Sequence, residues 1–168
     1  MQSISPETIF RGNDAWEKAL QQIVKFTKSP LILGRSVYTN DIKNKIFRDL
    51  KNQNLNVNSA NLQFDCCYED ISKVKNIILN NNHDAVIAAG GGKVLDSGKY
   101  IAEILNIPCI TVPLSASTCA GWTALSNIYT KKGQFIKDVA LRSCPKVLVF
   151  DHKFIQTAPS RTLASGIA

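Results

Sequence analysis

Three consecutive glycines followed by a lysine, Gly90-Gly-Gly-Lys93, are the residues of this chain best suited to doing chemistry. They stand between an apolar run, residues 86–89, and a stretch in which Leu95, Ile101, Ala102 and Leu105 recur at helical spacing. That order reads as buried parallel strand, tight turn, helix. Glycine lets the backbone approach a ligand closely because no Cβ intervenes. The new helix aims its free N–H groups and the positive end of its dipole at the same spot. Lys93 adds a full positive charge. Such a turn suits a phosphate or pyrophosphate. A purely structural turn is the plain alternative, but each glycine costs backbone entropy, and three in a row argue for use. Neither familiar fingerprint is met. G-x-G-x-x-G begun at Gly90 finds Leu95 where glycine is required, and the P-loop pattern fails at Ile87 and Val94.

Other reactive side chains are weaker leads. His83 lies among asparagines before a strand and His152 just after one; their spacing matches no zinc motif, so both read as surface or loop histidines. Cys66 and Cys67 read as a packing pair at a strand end, Asp151 as a helix or turn cap, and Trp16 as a core residue. Trp122 lies in a glycine-containing loop and is better placed to touch ligand.

The elements that must position these residues alternate. A helix capped by Asn13 or Asp14 runs to about residue 27, with Trp16, Leu20, Ile23 and Val24 inward. A strand covers 31–34, and Arg35 stands just past its carboxyl end. A helix over 41–51, a polar connection over 52–61, a strand at 62–66 and a helix from Glu69 or Asp70 to about residue 80 follow. After the glycine unit comes a strand at 107–112, a loop of small hydroxyl residues at 113–122, and a hairpin pairing 125–130 with 134–137 about Lys132-Gly133. A strand at 146–150 and a helix opening near Ser160 complete the chain. Strands alternating with helices imply a parallel sheet covered on both faces.

Composition narrows the class. The chain has 168 residues, 45% hydrophobic and 20% charged, as in a soluble globular protein. No apolar run is long enough to span a membrane. The first residues lack the basic and apolar regions of a signal peptide. Five cysteines without C-x-x-C spacing favour a reduced, cytoplasmic protein. The net charge of +7 is spread along helices without a dense basic run, which argues against nucleic acid and for an anionic small molecule.

Three blocks in order resemble the iron-containing alcohol dehydrogenase superfamily, most closely its glycerol dehydrogenase branch. They are Gly90-Gly-Gly-Lys-Val-Leu-Asp-Ser-Gly-Lys99; Pro113-Leu-Ser-Ala-Ser-Thr118 with Ala124-Leu-Ser-Asn-Ile-Tyr-Thr-Lys-Lys-Gly133; and Val147-Leu-Val-Phe-Asp151 with Ala158-Pro-Ser-Arg161. The resemblance covers nearly the whole chain. It implies an α/β fold: a Rossmann-like parallel sheet with helices on both faces over residues 1–158, binding NAD or NADP. Residues 159–168 would begin the family's helical metal-binding domain, which is otherwise absent. By the same resemblance Gly91, Gly92 and Lys93 meet the pyrophosphate, and Asp96 sits on the helix turn behind them. Leu114, Ser117, Thr123, Leu125 and Tyr129 line the nicotinamide side. A hydroxyl loop after a parallel strand does lie at the carboxyl edge, where such ligands bind.

Two positions depart from the family. Arg35 stands where an acidic residue usually contacts the adenine ribose, which loosens or reverses a preference for NAD over NADP because a guanidinium offers a fork to a 2′-phosphate; the plain alternative is that Arg35 points to solvent. Cys119 stands where an aspartate often contacts substrate, making it the substrate-side residue of interest. The intact enzyme would move hydride from a small polyol or alcohol, held on a divalent zinc or iron ion, to nicotinamide. Alternatives are a glycerol-1-phosphate dehydrogenase, a dehydroquinate-synthase-like enzyme, or a non-catalytic nucleotide-binding module. A homo-oligomer is compatible with all of them. The family's first metal ligand is the aspartate of Gly-[Ile/Met]-[Gly/Ala]-Asp. Here Gly166-Ile167-Ala168 matches the first three positions and the sequence stops. The family's histidine ligands lie further on. The expectation for these 168 residues is cofactor binding without turnover, no catalytic or metal residue of their own, and an exposed apolar face near Leu163 and Ile167.

Overall fold

A computed structural model describes residues 5–167. Six strands form one parallel sheet in the order β1-β8-β5-β4-β2-β3. They are β1 (Thr8–Gly12), β2 (Pro30–Gly34), β3 (Asn58–Asn61), β4 (Ala85–Gly90), β5 (Cys109–Pro113) and β8 (Val147–Asp151). A separate antiparallel hairpin joins β6 (Leu125–Tyr129) to β7 (Phe135–Ala140). The α/β expectation, the paired hairpin and its turn are all as the sequence implied.

Strand alternation decides which helix lies where. In β4, Ala85, Ile87 and Ala89 face one layer, while Val86 and Ala88 face the other. The first layer holds α1 (Ala15–Ile23), α2 (Asn40–Asn52) and α5 (His152–Gln156); the second holds α3 (Tyr68–Asn80) and α4 (Gly92–Leu105). Trp16, Ile23, Ile46 and Leu50 fill the first, and Val74, Ile78, Leu95 and Ile101 the second, all essentially removed from water. Each such side chain contributes about 1.5–3 kcal/mol. Gly98 lets α4 lie tightly on β4, since a Cβ there would stand 2.4 Å from that of Ala88.

Several sequence expectations need correction. β1 was not expected, because only alternate residues of Thr8–Gly12 are even half-buried. The strand expected at 62–66 is loop. The ladder instead ends at Asn58–Asn61, inside the stretch read as a polar connection, where Ala60 alone is buried. Helix α1 stops at Ile23 and finishes in tight turns to Thr27. Its side-chain cap is neither Asn13 nor Asp14. Asp14 adopts φ 58° and pairs with Lys153, and Asp151 Oδ2 accepts the Trp16 N–H at 3.0 Å instead. Asp151 Oδ1 also accepts from Lys153 N, so one buried carboxylate caps α1 and α5 together. The cap expected of Asp151 and the buried Trp16 are found. His83 is not at the surface. It is 5% exposed, with Asn58 Nδ2 at 3.2 Å from Nε2 and Ser29 O at 3.0 Å from Nδ1, tying its own loop and the one before β2 to the start of β3 at the amino edge of the sheet. The final helix, α6 (Ser160–Ala164), begins at Ser160, but Pro159 occupies its cap position. Ile167 is 87% exposed. Ala168, the third residue of the motif noted above, lies outside the described residues.

Candidate dinucleotide site

The sheet reverses its winding between β2 and β4. From β2 the chain crosses through α2 outward to β3; from β4 it crosses through α4 the other way to β5. Crossovers diverging from adjacent strands leave a crevice at their carboxyl ends, the usual ligand position in such sheets. Here the crevice is a cavity of about 220 Å³ lined by Arg35, Ser36 and Thr39 after β2 and by Gly90 to Val94 after β4.

The three glycines have different reasons to be there. A Cβ at Gly90 would meet Val94 Cβ at 2.8 Å, so this glycine serves packing. A Cβ at Gly91 would meet nothing within 4 Å, so its bareness keeps space open in front of the turn. A Cβ at Gly92 would stand 3.1 Å from Thr118 Oγ1, so this glycine admits the hydroxyl loop. In the first turn of α4, Val94 N and Leu95 N donate to Gly91 O at 3.0 and 3.1 Å, which leaves the N–H groups of Gly92 and Lys93, two residues that line this cavity, without a partner inside the helix. These residues fit a dinucleotide's phosphates.

A second cavity, about 420 Å³, lies beside the hydroxyl loop, lined by Ala116 to Cys119, Trp122, Phe150, Ser165 and Gly166. Ser117 is exposed, with its hydroxyl 2.7 Å from that of Ser115. Cys119 is exposed, and Trp122 packs on Phe150 with ring centroids 5.0 Å apart. Arg35, Gly91, Gly92 and Lys93 therefore share one cavity, and Ser117 and Cys119 share the other.

The remaining expected residues line neither opening. Leu114 is buried, and its N–H donates to Gly90 O at 3.0 Å, which braces the glycine turn. Asp96 is buried against Lys99, with Oδ1 3.0 Å from Nζ, and Oδ2 accepts from Asn127 N at 3.3 Å. Burial pushes the Asp96 carboxyl up, against the pull of Lys99. Lys99 also donates to Thr123 O and Thr123 Oγ1, each at 3.2 Å, and to Leu125 O. Asp96, Thr123 and Leu125 thus moor the hairpin to α4. Tyr129 is half-buried, and Lys93 Nζ lies 4.9 Å from its ring centroid.

One residue with a claim on the site was missed in the sequence. Asp65, in the loop after β3, stands between the two cations, with Oδ1 3.1 Å from Arg35 Nη1 and Oδ2 2.5 Å from Lys93 Nζ. No local pattern marks it, because its partners come from two other loops.

A larger cavity, about 560 Å³, opens at the amino edge of the sheet, away from the glycine turn. Its cations are already engaged, Lys99 with Asp96, Arg142 with Glu103 and Lys146 with Glu7. Among the described residues no group of three or more His, Cys, Asp and Glu side chains could hold a metal ion. No helix among them is long and apolar enough to cross a membrane.

The fold and the two carboxyl-edge openings define an open, parallel α/β domain with a glycine-lined cavity at its switch point. The family profile for iron-containing alcohol dehydrogenases matches residues 6–152, and the chain belongs to that family. An uncharacterized oxidoreductase of Synechocystis sp. is 35% identical over 98% of the chain and 42% of its own length. A glycerol dehydrogenase of Escherichia coli O6:H1 is 29% identical over 97% of the chain and 44% of its own length. A crystal structure of glycerol dehydrogenase from Schizosaccharomyces pombe superposes with a TM-score of 0.88 at 30% identity, covering 99% of the chain and 42% of that protein. The chain thus spans less than half the length of these relatives.

Proposed function

We propose that residues 1–158 are the nicotinamide-dinucleotide-binding part of an alcohol or polyol dehydrogenase similar to glycerol dehydrogenase, with residues 159–168 opening its next domain. The observation that carries this reading is the bare Gly91 at the switch point, facing open space between Arg35 and the start of α4. The N–H groups of Gly92 and Lys93, with the Lys93 ammonium beside them, receive the pyrophosphate. The hydroxyl loop, with Ser117, and the cavity wall of Trp122 and Cys119 receive the nicotinamide and the alcohol. When bound, the dinucleotide supplies the hydride acceptor. What these residues do is bind and orient it, and Leu114 and the Asp96–Lys99 pair keep the turn and the hairpin in place. The chain by itself binds cofactor without turnover, since the described residues offer no ligand set to polarise an alcohol.

The test is titration of NAD and NADP, followed by calorimetry, on the wild type and Gly91→Val. The substitution should weaken binding by roughly a hundredfold, because a branched side chain overlaps the ligand. It should leave the melting temperature unchanged, because the new Cβ meets no protein atom within 4 Å. Equal affinity in a folded Gly91→Val protein would refute the reading, and metal-dependent NAD(P)H formation from a polyol by these 168 residues would refute the inactivity.

A further inference from the structure

Resting on the dinucleotide reading above, we propose that Asp65 is the specificity-determining residue of the switch-point pocket: it engages Arg35 and Lys93 as its own ion pairs and so withholds the charge that a 2′-phosphate requires, giving NAD preference over NADP.

Arg35 and Lys93 are the two cations that line the glycine cavity, and Asp65 does not line it. The carboxylate sits behind them, its side chain 11% exposed while theirs are 45% and 42% exposed. On the far side it is covered by the hairpin turn, where Gly133 takes φ +79° and a Cβ would come 3.5 Å from Oδ2. Its two oxygens are divided between the cations. Oδ2 accepts a hydrogen bond from Lys93 at 2.5 Å. Oδ1 is fully buried and accepts no hydrogen bond of good geometry among the described residues, although Arg35 Nη1 approaches to 3.1 Å. Arg35 is therefore held by charge alone, off the line of a directed bond.

A guanidinium recognises phosphate by presenting parallel N–H groups in a fork. Here the nearer end of the fork is turned back toward Asp65. Binding a 2′-phosphate, with its two negative charges beside a buried carboxylate, would mean breaking this pair or adding repulsion to it. Ribose hydroxyls carry no such penalty. Asp65 thus counteracts, from a neighbouring loop, the NADP preference that Arg35 alone would give. It is a positioning residue: it acts on the ligand through the two cations.

Calorimetric titration of NAD and NADP into the wild type, Asp65→Asn, Arg35→Gln and the double variant tests this. Asp65→Asn should strengthen NADP binding about tenfold and raise the NADP-to-NAD affinity ratio at least about fivefold. Arg35→Gln in the wild-type background should leave that ratio within about twofold, because its charge is already engaged. Added to Asp65→Asn it should cancel the gain. An unchanged ratio in a folded Asp65→Asn protein overturns the proposal. If that variant does not fold, a selective loss of NADP binding in Arg35→Gln alone overturns it, and an unmoved ratio sustains it. Absence of binding by either dinucleotide to any of the four proteins refutes the cofactor reading itself and this inference with it, a result distinct from binding with an unchanged ratio.

Discussion

Two lysines of helix α4 each pair with an aspartate, and they do opposite things. Lys99 is 2% exposed at its side chain, and Asp96 is 8% exposed. Its three donors meet a carboxylate, a hydroxyl and two carbonyls, all from the protein. Nothing is left over for a ligand. Lys93 is 42% exposed at its side chain, meets Asp65 and the ring of Tyr129, and opens on the glycine cavity. The difference arises from depth along one helix. The first turn emerges at the carboxyl edge of the sheet, while the later turns lie under the hairpin. Charge at a helix start is available, and charge farther in must be matched internally or it would not be tolerated.

The strongest way to break this comparison is to remove both ammonium groups in turn. Lys99→Met should destabilise the fold by about 3–5 kcal/mol, because it leaves Asp96 buried without its cation. Urea denaturation at neutral pH measures it. Lys93→Met should cost less, about 1–2 kcal/mol, because its ammonium is 42% exposed and Arg35 still faces the buried Asp65 carboxylate, while weakening the dinucleotide. Equal destabilisation by both would erase the distinction.

A carboxylate with no cation sharpens it further. Asp84 accepts from Lys28 N at 2.8 Å, from Ser29 N at 3.0 Å and from the Thr27 hydroxyl. Burial pushes its carboxyl up, but these bonds together outweigh burial and hold it below its ordinary range. A depressed folded value means stabilisation that is full above the unfolded carboxylate range, near about pH 4, and lost as pH falls through the folded value. Asp84→Asn should therefore cost about 1–2 kcal/mol at pH 7, and the gap to wild type should close on acidification below about pH 4. A gap constant with pH would mean that the charge is not what the backbone groups hold.

The mildest test concerns the cysteines. Burial pushes the Cys66 and Cys109 thiols up to about 12, whereas Cys119 is exposed beside the hydroxyl loop. Iodoacetamide near neutral pH should modify Cys119 first, read by peptide mass spectrometry, with no measurable loss of stability. Saturating dinucleotide should slow that modification. Prior labelling of Cys66 would contradict the burial.

What could be read from the sequence tracks how local each signal is. The glycine unit, the hydroxyl loop and the hairpin are contiguous, and each carries its own pattern, so their places were legible. β3 was not, because Asn58–Asn61 is a polar edge strand whose only warrant is pairing with β2. The loop after it misled in the other direction, since Leu62, Phe64 and Cys66 alternate without forming a ladder. Asp65 lies in that misread stretch. Its partners Arg35 and Lys93 are distant in sequence and meet it only once β2, β3 and β4 are aligned. His83 lies in a loop as expected, but its burial was hidden for the same reason, since its partners Ser29 and Asn58 come from the loop before β2 and from β3.

The pairing of β1 with β8, Thr8 opposite Val147 through Gly12 opposite Asp151, has a consequence during synthesis. Among the described strands β1 must wait for β8, its one neighbour in the sheet, which is made after β2, β3, β4 and β5. Until then β2, β3, β4 and β5 can assemble alone, while the amino-terminal segment and the amphipathic helix behind it trail unattached. Trp16 is without its Asp151 acceptor throughout that interval. The nascent chain therefore carries the Trp16 ring unburied until β8 and Asp151 have been made, which makes this segment the natural place for a holding chaperone to engage.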